Sequence, residues 1–335
     1  MLSFNPDESR KSFPIAHGFN NKQCVGKPIF TVHFINDYSK SAPPEILSNN
    51  PRELLDNERF RLMKEFALSK AEFNILLDRV VKNEPVIETS SRTLKRAYLE
   101  ISRILTEKLK TTLEFDAKED VYLQPIFDTS KDRQNTILTC FGPSGCGKSW
   151  AVNNLLVNNP AVIAELVPAI ILFSSVGDDD PSYQPIKNMY GEKFFWVDPK
   201  DMKPEDLDVR SYQPKTVMIF DDVDSIANKI VRKQTLAFRN RLLEVARHNS
   251  YVVISTTHLF HARTHTQKVR NSSKFFMLYP RSGAKGLDDV LENKFNLQRH
   301  ERIDLLKKLK REARGQFVHV DSPGYIVNTK RVQLF

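Results

Sequence analysis

Residues 142–149 read Gly142-Pro143-Ser144-Gly145-Cys146-Gly147-Lys148-Ser149. This is a full match to G-x-x-x-x-G-K-[ST], the loop that cradles phosphates. Its glycines let successive backbone N–H groups turn inward on an anion at a helix N-terminus. Lys148 would reach the β and γ oxygens, and the Ser149 hydroxyl would take one Mg²⁺ position. The expected ligand is a nucleoside triphosphate, touched by residues 142–149 and the neighbouring Trp150. Cys146 reads as a small filler within the loop.

Such a site needs a carboxylate at the end of a buried strand to complete the Mg²⁺ shell. "TVMIFDDVD" supplies it: four apolar residues, Val217 to Phe220, run into Asp221 and Asp222. Asp221 is expected on the metal side, and Asp222 where a carboxylate can polarise an attacking water. Adjacent acids repel, so their presence together calls for a cation. A kinase passing the γ-phosphoryl to a substrate hydroxyl has no need of a water-activating second acid. The pair therefore favours hydrolysis.

A third polar cluster ends the apolar run Tyr251–Ser255, as Thr256-Thr257-His258. If that strand lies between the phosphate loop and the acids, these groups can sense the γ-phosphate. Thr257 and His258 are the favoured sensors. The stretch 229–285 holds 12 Lys and Arg against one acid, Glu244. Its charge of +11 exceeds the whole chain's +9 and leaves the remainder slightly negative. A basic face of this kind fits a polyanion. Within it, Arg247, Arg263 and Arg270 are candidates for an arginine completing a neighbouring subunit's site.

Elements must hold these groups in place. "TILTCFG", "AIILFSS", "KFFWVD", "TVMIFDD", "YVVISTT" and "KFFMLYP" are apolar runs ending in polar residues, the pattern of buried parallel strands. Helical segments are expected at 149–158, 224–248 and 260–270, and again at 298–315, with terminal strands around Pro323-Gly324. Strand–helix alternation predicts an α/β fold, a mostly parallel sheet flanked by helices, with ligands at the carboxyl ends of the strands. This domain is expected over residues 119–335. Residues 1–118 are expected to form a mostly helical region, with one strand in 27–35 and a break at 41–51. Ser69-Lys70-Ala71-Glu72 is a capping box, and Leu94, Tyr98, Ile101, Leu105 and Leu109 form one helix face.

The chain has 335 residues, 40% hydrophobic and 27% charged, enough for a packed core. It contains no apolar run of about 18 residues, hence no expected membrane span. The N-terminus lacks a signal-peptide core, so secretion is not expected. Three cysteines, Cys24, Cys140 and Cys146, argue against a disulfide framework.

Taken together, "GPSGCGKS", "TVMIFDD", "ARHNSYVVISTTHL" and "VRNSSKFFMLYPRSG" resemble, over residues 130–335, the FtsK–HerA superfamily of DNA-translocating ATPases, a RecA-like P-loop NTPase fold. Within it the likeness is to the poxvirus-type genome-packaging ATPases of large DNA viruses and virophages. The resemblance implies a homo-oligomeric ring, a pentamer or hexamer. That ring would use ATP and Mg²⁺ to thread double-stranded DNA into a preformed capsid, docking on capsid vertex proteins. The setting it implies is the host cell cytoplasm or viral factory, with virion association. Lys148 and Ser149 match the phosphate and Mg²⁺ roles, and Asp221 the Mg²⁺ role. Asp222 stands where the family usually has Glu, and Arg247 or Arg270 matches an arginine acting in trans. Thr256-Thr257-His258 departs from the Gln often found at the end of the sensor strand. Other readings are a replicative helicase or AAA-type ATPase, a P-loop kinase of a small substrate, and a non-hydrolysing nucleotide-dependent assembly module. The acid pair and the basic stretch count against the kinase.

Overall fold

In a computed structural model, residues 2–4, 12–22, 24, 26–35, 51–81, 91–115, 120–127, 136–157, 167–258, 266–309, 315–320 and 324–334 are described. For residues 3, 12–13, 35, 51–54, 56–57, 81, 106–111, 204, 247, 280–286 and 308 the backbone alone is described. The break at 41–50, Arg263 and residues 259–265 lie outside the described residues, as does the Leu109 side chain. The chain divides into two compact units, one of residues 1–123 with 330–334, the other of residues 124–329.

The first unit combines strands and helices. Strands β1 (Leu2–Ser3), β2 (Ser12–Phe19) and β3 (Phe30–Ile35) pair antiparallel in the order β1-β3-β2. Helices α1 (Pro51–Glu65), α2 (Lys70–Val81) and α3 (Arg92–Thr111) pack on one another. The expected capping box opens α2: Ser69 N–H donates to Glu72 Oε2 at 2.8 Å, and Glu72 N–H to Ser69 Oγ at 3.2 Å. Along α3, Ala97, Ile101, Ile104 and Leu105 are buried with Leu62, Phe73 and Leu77, while Leu94 and Tyr98 flank that core. The helix face is therefore absorbed by its two neighbours. Strand β4 (Thr112–Glu114) pairs antiparallel with the last strand of the chain, Arg331–Leu334. Strand β5 (Tyr122–Pro125) crosses the boundary between the units.

The second unit holds the sheet that carries the chemistry. Its parallel strands are β6 (Thr136–Phe141), β7 (Ile170–Phe173), β8 (Phe194–Val197), β9 (Val217–Phe220), β10 (Val252–Thr257) and β11 (Phe275–Leu278). They run in the order β11-β6-β10-β9-β7-β8, every adjacent pair parallel. Strands β12 (Gln316–His319) and β13 (Tyr325–Val327) extend the β11 side antiparallel. All residues of β6, β7, β9, β10 and β11 are buried, which explains their continuous apolar runs. Edge strand β8 is half-exposed.

Helix α4 (Lys148–Val157) follows β6, and α5 (Gln184–Tyr190) precedes β8. Helix α6 (Lys229–Asn249) begins where Asn228 Oδ1 accepts the N–H groups of Ile230 and Val231, and it ends at Ser250 in the left-handed region, φ 55°. Its Leu236, Phe238, Leu242 and Ala246 cover Ile137, Met218, Phe220 and Val253 of the sheet. Phe173 and Phe220 stack across β7 and β9, centroids 4.7 Å apart. Helix α7 (Gln267–Ser272) occupies the end of the expected 260–270 segment. Helix α8 (Pro280–Asn293) is not evident from the sequence, where Gly283 and Gly286 read as a loop. Helix α9 covers Arg299–Leu309. Among the described residues, no helix is long and apolar enough to cross a membrane.

Candidate functional site

Because six strands run parallel, their carboxyl ends gather the expected motifs at one edge of the sheet. Strand β10 lies between β6 and β9, so Thr256-Thr257-His258 stands between the phosphate loop and the acids.

The loop is a strand-to-helix turn. Gly145 and Gly147 take φ of 73° and 98°, a region that glycine enters without a Cβ penalty. Ala151 N–H bonds Gly147 O at 2.9 Å, starting α4. Two neighbours clamp the turn. Gly142 N–H donates to Thr257 O at 3.3 Å, and the Tyr279 hydroxyl donates to Gly147 O at 2.8 Å. Burial holds the Tyr279 phenol far above its ordinary range, so it remains a donor. The Cys146 thiol is also raised by burial, which keeps it protonated and fits the filler role. Pro143, Ser144 and Gly145 are exposed, as is the Trp150 ring at 52%.

Lys148 is 5% exposed. Its Nζ donates to Gly142 O at 3.1 Å and Pro143 O at 3.3 Å, and lies 3.0 Å from His258 Nδ1 and 3.7 Å from Asp222 Oδ2. His258 Nε2 is 2.8 Å from the same Asp222 oxygen. The imidazole thus spans the lysine and the second acid. Asp222 reaches them from a left-handed backbone, φ 46°, unusual for a non-glycine residue and characteristic of functional turns.

Asp221 is 7% exposed. Burial raises its carboxyl above the ordinary carboxylate range and the Asp222 charge adds to this, while the Thr256 hydroxyl, donating to Oδ1 at 2.6 Å, opposes it. The Thr256 oxygen accepts the Asp222 N–H at 3.0 Å, so one hydroxyl bridges both acids. A buried acid beside a second acid is stabilised in its charged form by a cation. Lys148 serves Asp222, and Asp221 with the Ser149 hydroxyl fits Mg²⁺, a hard ion that takes few protein oxygens and shares phosphate oxygens. When bound, the ion would neutralise charge developing on the phosphates.

Thr257, expected beside the γ-phosphate, sits elsewhere. Its buried hydroxyl donates to Asp224, because successive residues of a strand face opposite sides. Thr256 takes the place at the acids. Arg239 on α6 is fully buried, and burial pushes its guanidinium down to about 10 against the favourable charge of Asp224. Asp224→Asn removes that charge and is expected to destabilise the second unit by about 3 kcal/mol. Urea unfolding followed by Trp150 and Trp196, both in this unit, measures it.

Of the proposed arginines, Arg270 is half-buried on α7, and Arg247 lies in the last turn of α6. The basic stretch is partly used internally, through Arg239 beside Asp224 and Lys268 paired with Glu244. Lys229, Lys233 and Arg241 are exposed on α6.

Sequence reasoning missed two more residues. Tyr279 follows β11, the neighbour of β6, and Tyr183 closes the acidic loop after β7, the neighbour of β9. Their signal is a place after a strand whose neighbour in the sheet carries a site motif, which needs the sheet order to be read.

Strand, glycine loop, helix and strand-end acids one strand removed define a P-loop NTPase fold. No family model matches the chain. A Sputnik virophage protein, "Uncharacterized protein V3", is 30% identical over 114 residues, 33% of this chain and 46% of that protein. The matched stretch thus spans about half the relative's length. Among solved structures, the genome-packaging NTPase B204 from Sulfolobus turreted icosahedral virus 2, in complex with ATP-gammaS, is 15% identical, with TM-score 0.37, over 59% of this chain and 98% of that one. VirB4 of Thermoanaerobacter pseudethanolicus is 13% identical, with TM-score 0.40, over 67% and 96%. The roles argued for this chain rest on its own site.

Proposed function

We propose that the chain is an ATPase that drives double-stranded DNA, packaging a viral genome as a homo-oligomeric ring. The observation that carries the reading is the convergence of Lys148, Asp222 and His258 beside Asp221 and Ser149 at the strand ends. Lys148 would bind the β and γ oxygens, Asp222 would orient and polarise the attacking water, and Ser149 with Asp221 would hold Mg²⁺. Thr256 fixes the two acids relative to each other. Arg247 or Arg270 would reach a neighbouring subunit's nucleotide.

Support for DNA as the load comes from the charge of residues 229–285 and from the motif resemblance. The stretch shared with a virophage protein fits a viral setting, in the host cytoplasm or viral factory, with capsid vertex proteins as docking partners. Contact through lysines and arginines releases counterions, so duplex affinity should fall at least tenfold between about 50 and 200 mM salt. Fluorescence anisotropy with a labelled duplex reads this, and a flat response would remove the basic-face argument. Function is tested by running a strand-displacement assay beside a duplex-translocation assay. Translocation without strand separation supports packaging, whereas strand separation makes the chain a helicase.

A further inference from the structure

The loop after β7 brings a buried tyrosine to the metal side of the pocket. Tyr183 is 3% exposed, and its hydroxyl interacts with the Ser149 and Asp221 side chains without completing a hydrogen bond of good geometry to either. Burying a hydroxyl without a partner is costly, and such groups in native folds call for an explanation. Hydrogen bonds tie down the segment that carries it. Tyr183 N–H bonds Asp180 O at 3.0 Å, and Ser182 N–H bonds Asp180 Oδ1 at 2.8 Å. Lys187 Nζ pairs with Asp178 Oδ2 at 2.6 Å, and Gln184 Nε2 donates to Asp178 O at 3.3 Å, tying the loop to α5. At the loop's start, Ser174 N–H bonds Val197 O at 3.2 Å, and Trp196 Nε1–H bonds Ser174 O at 3.1 Å. The segment that carries the phenol is thereby tied down beside the two residues that the site chemistry assigns to Mg²⁺.

We infer that Tyr183 is a positioning residue of the metal–nucleotide site, its hydroxyl completing a well-formed hydrogen bond when a hydrated divalent cation and triphosphate occupy the pocket. This inference rests on the proposed nucleotide site. It accounts for a buried polar atom whose hydrogen bonding the protein's own groups leave incomplete. It also assigns a task to the segment 174–183, which the P-loop, the acids and the sensor strand leave unexplained.

The test compares the 335-residue wild-type chain with Tyr183→Phe, which keeps the ring and removes only the oxygen. ATP-gammaS affinity is measured by calorimetry with MgCl₂ and again with EDTA, and melting temperature is measured without ligand. Tyr183→Phe is expected to weaken binding roughly three- to tenfold with Mg²⁺, the range of one lost hydrogen bond. With EDTA the two proteins should bind equally. Without ligand, the variant should melt at the same temperature or higher, since a buried hydroxyl with no well-formed hydrogen bond has gone. A purely structural tyrosine would give the opposite pattern, with lower melting temperature and equal loss in both buffers, and that result overturns the inference. Unchanged Mg²⁺-dependent binding in the variant overturns it as well and leaves the nucleotide site intact. Failure of wild type to bind ATP-gammaS in either buffer overturns the site reading itself, and this inference with it.

Discussion

Lys148→Ala is expected to lower ATP turnover by about 100-fold or more, the scale of losing one charged donor aimed at developing anionic charge, and to weaken ATP binding by about 10- to 100-fold, the scale of one hydrogen bond to a charged group. The lysine is the buried cation facing both the loop carbonyls and Asp222. Alanine would leave Asp221 and Asp222 opposite the phosphates with no fixed positive charge between them. The site would then repel the ligand that it is shaped to hold. The glycine turn should survive, because Gly145, Gly147 and the Tyr279 clamp do not involve the lysine side chain. A phosphate-release assay and calorimetry with ATP measure the two effects. Turnover equal to wild type would remove the loop from the chemistry.

Asp222→Asn should act differently, lowering kcat by about 100-fold or more while KM changes by less than about threefold. Asparagine keeps the shape and the backbone bond to Thr256, but it cannot accept a proton or polarise water as a carboxylate does. His258 Nε2 and Lys148 Nζ, at 2.8 and 3.7 Å from Oδ2, would keep an oxygen or amide in place, so substrate binding should persist. Loss of binding with unchanged kcat would instead put Asp222 on the metal side.

Much of this fold was legible because strands buried on both faces must be continuously apolar. Each of the six expected runs is a parallel strand, and the glycine loop lies between β6 and α4 as its context demanded. The Ser69–Glu72 capping box was readable because it is local. What was not legible depends on sheet order and facing. No spacing says that β10 adjoins both β6 and β9, or that Thr256 rather than Thr257 faces the acids. Tyr183 and Tyr279 stand in segments that follow β7 and β11, and only the sheet order shows that these segments adjoin the site. Helix α8 was hidden by Gly283 and Gly286, whose low propensity is overridden where Leu287, Val290 and Leu291 pack against Phe276 and Leu278. Strand β2 was hidden in the same way, by Pro14 and Gly18 within it.

The most direct test of the account is steady-state ATP hydrolysis by the 335-residue chain in Mg²⁺, with and without linear duplex DNA. Lys148→Ala and Asp222→Asn run alongside. The account predicts hydrolysis that rises several-fold with duplex DNA and is lost in both variants. Hydrolysis that ignores DNA, or that persists in either variant, would contradict it.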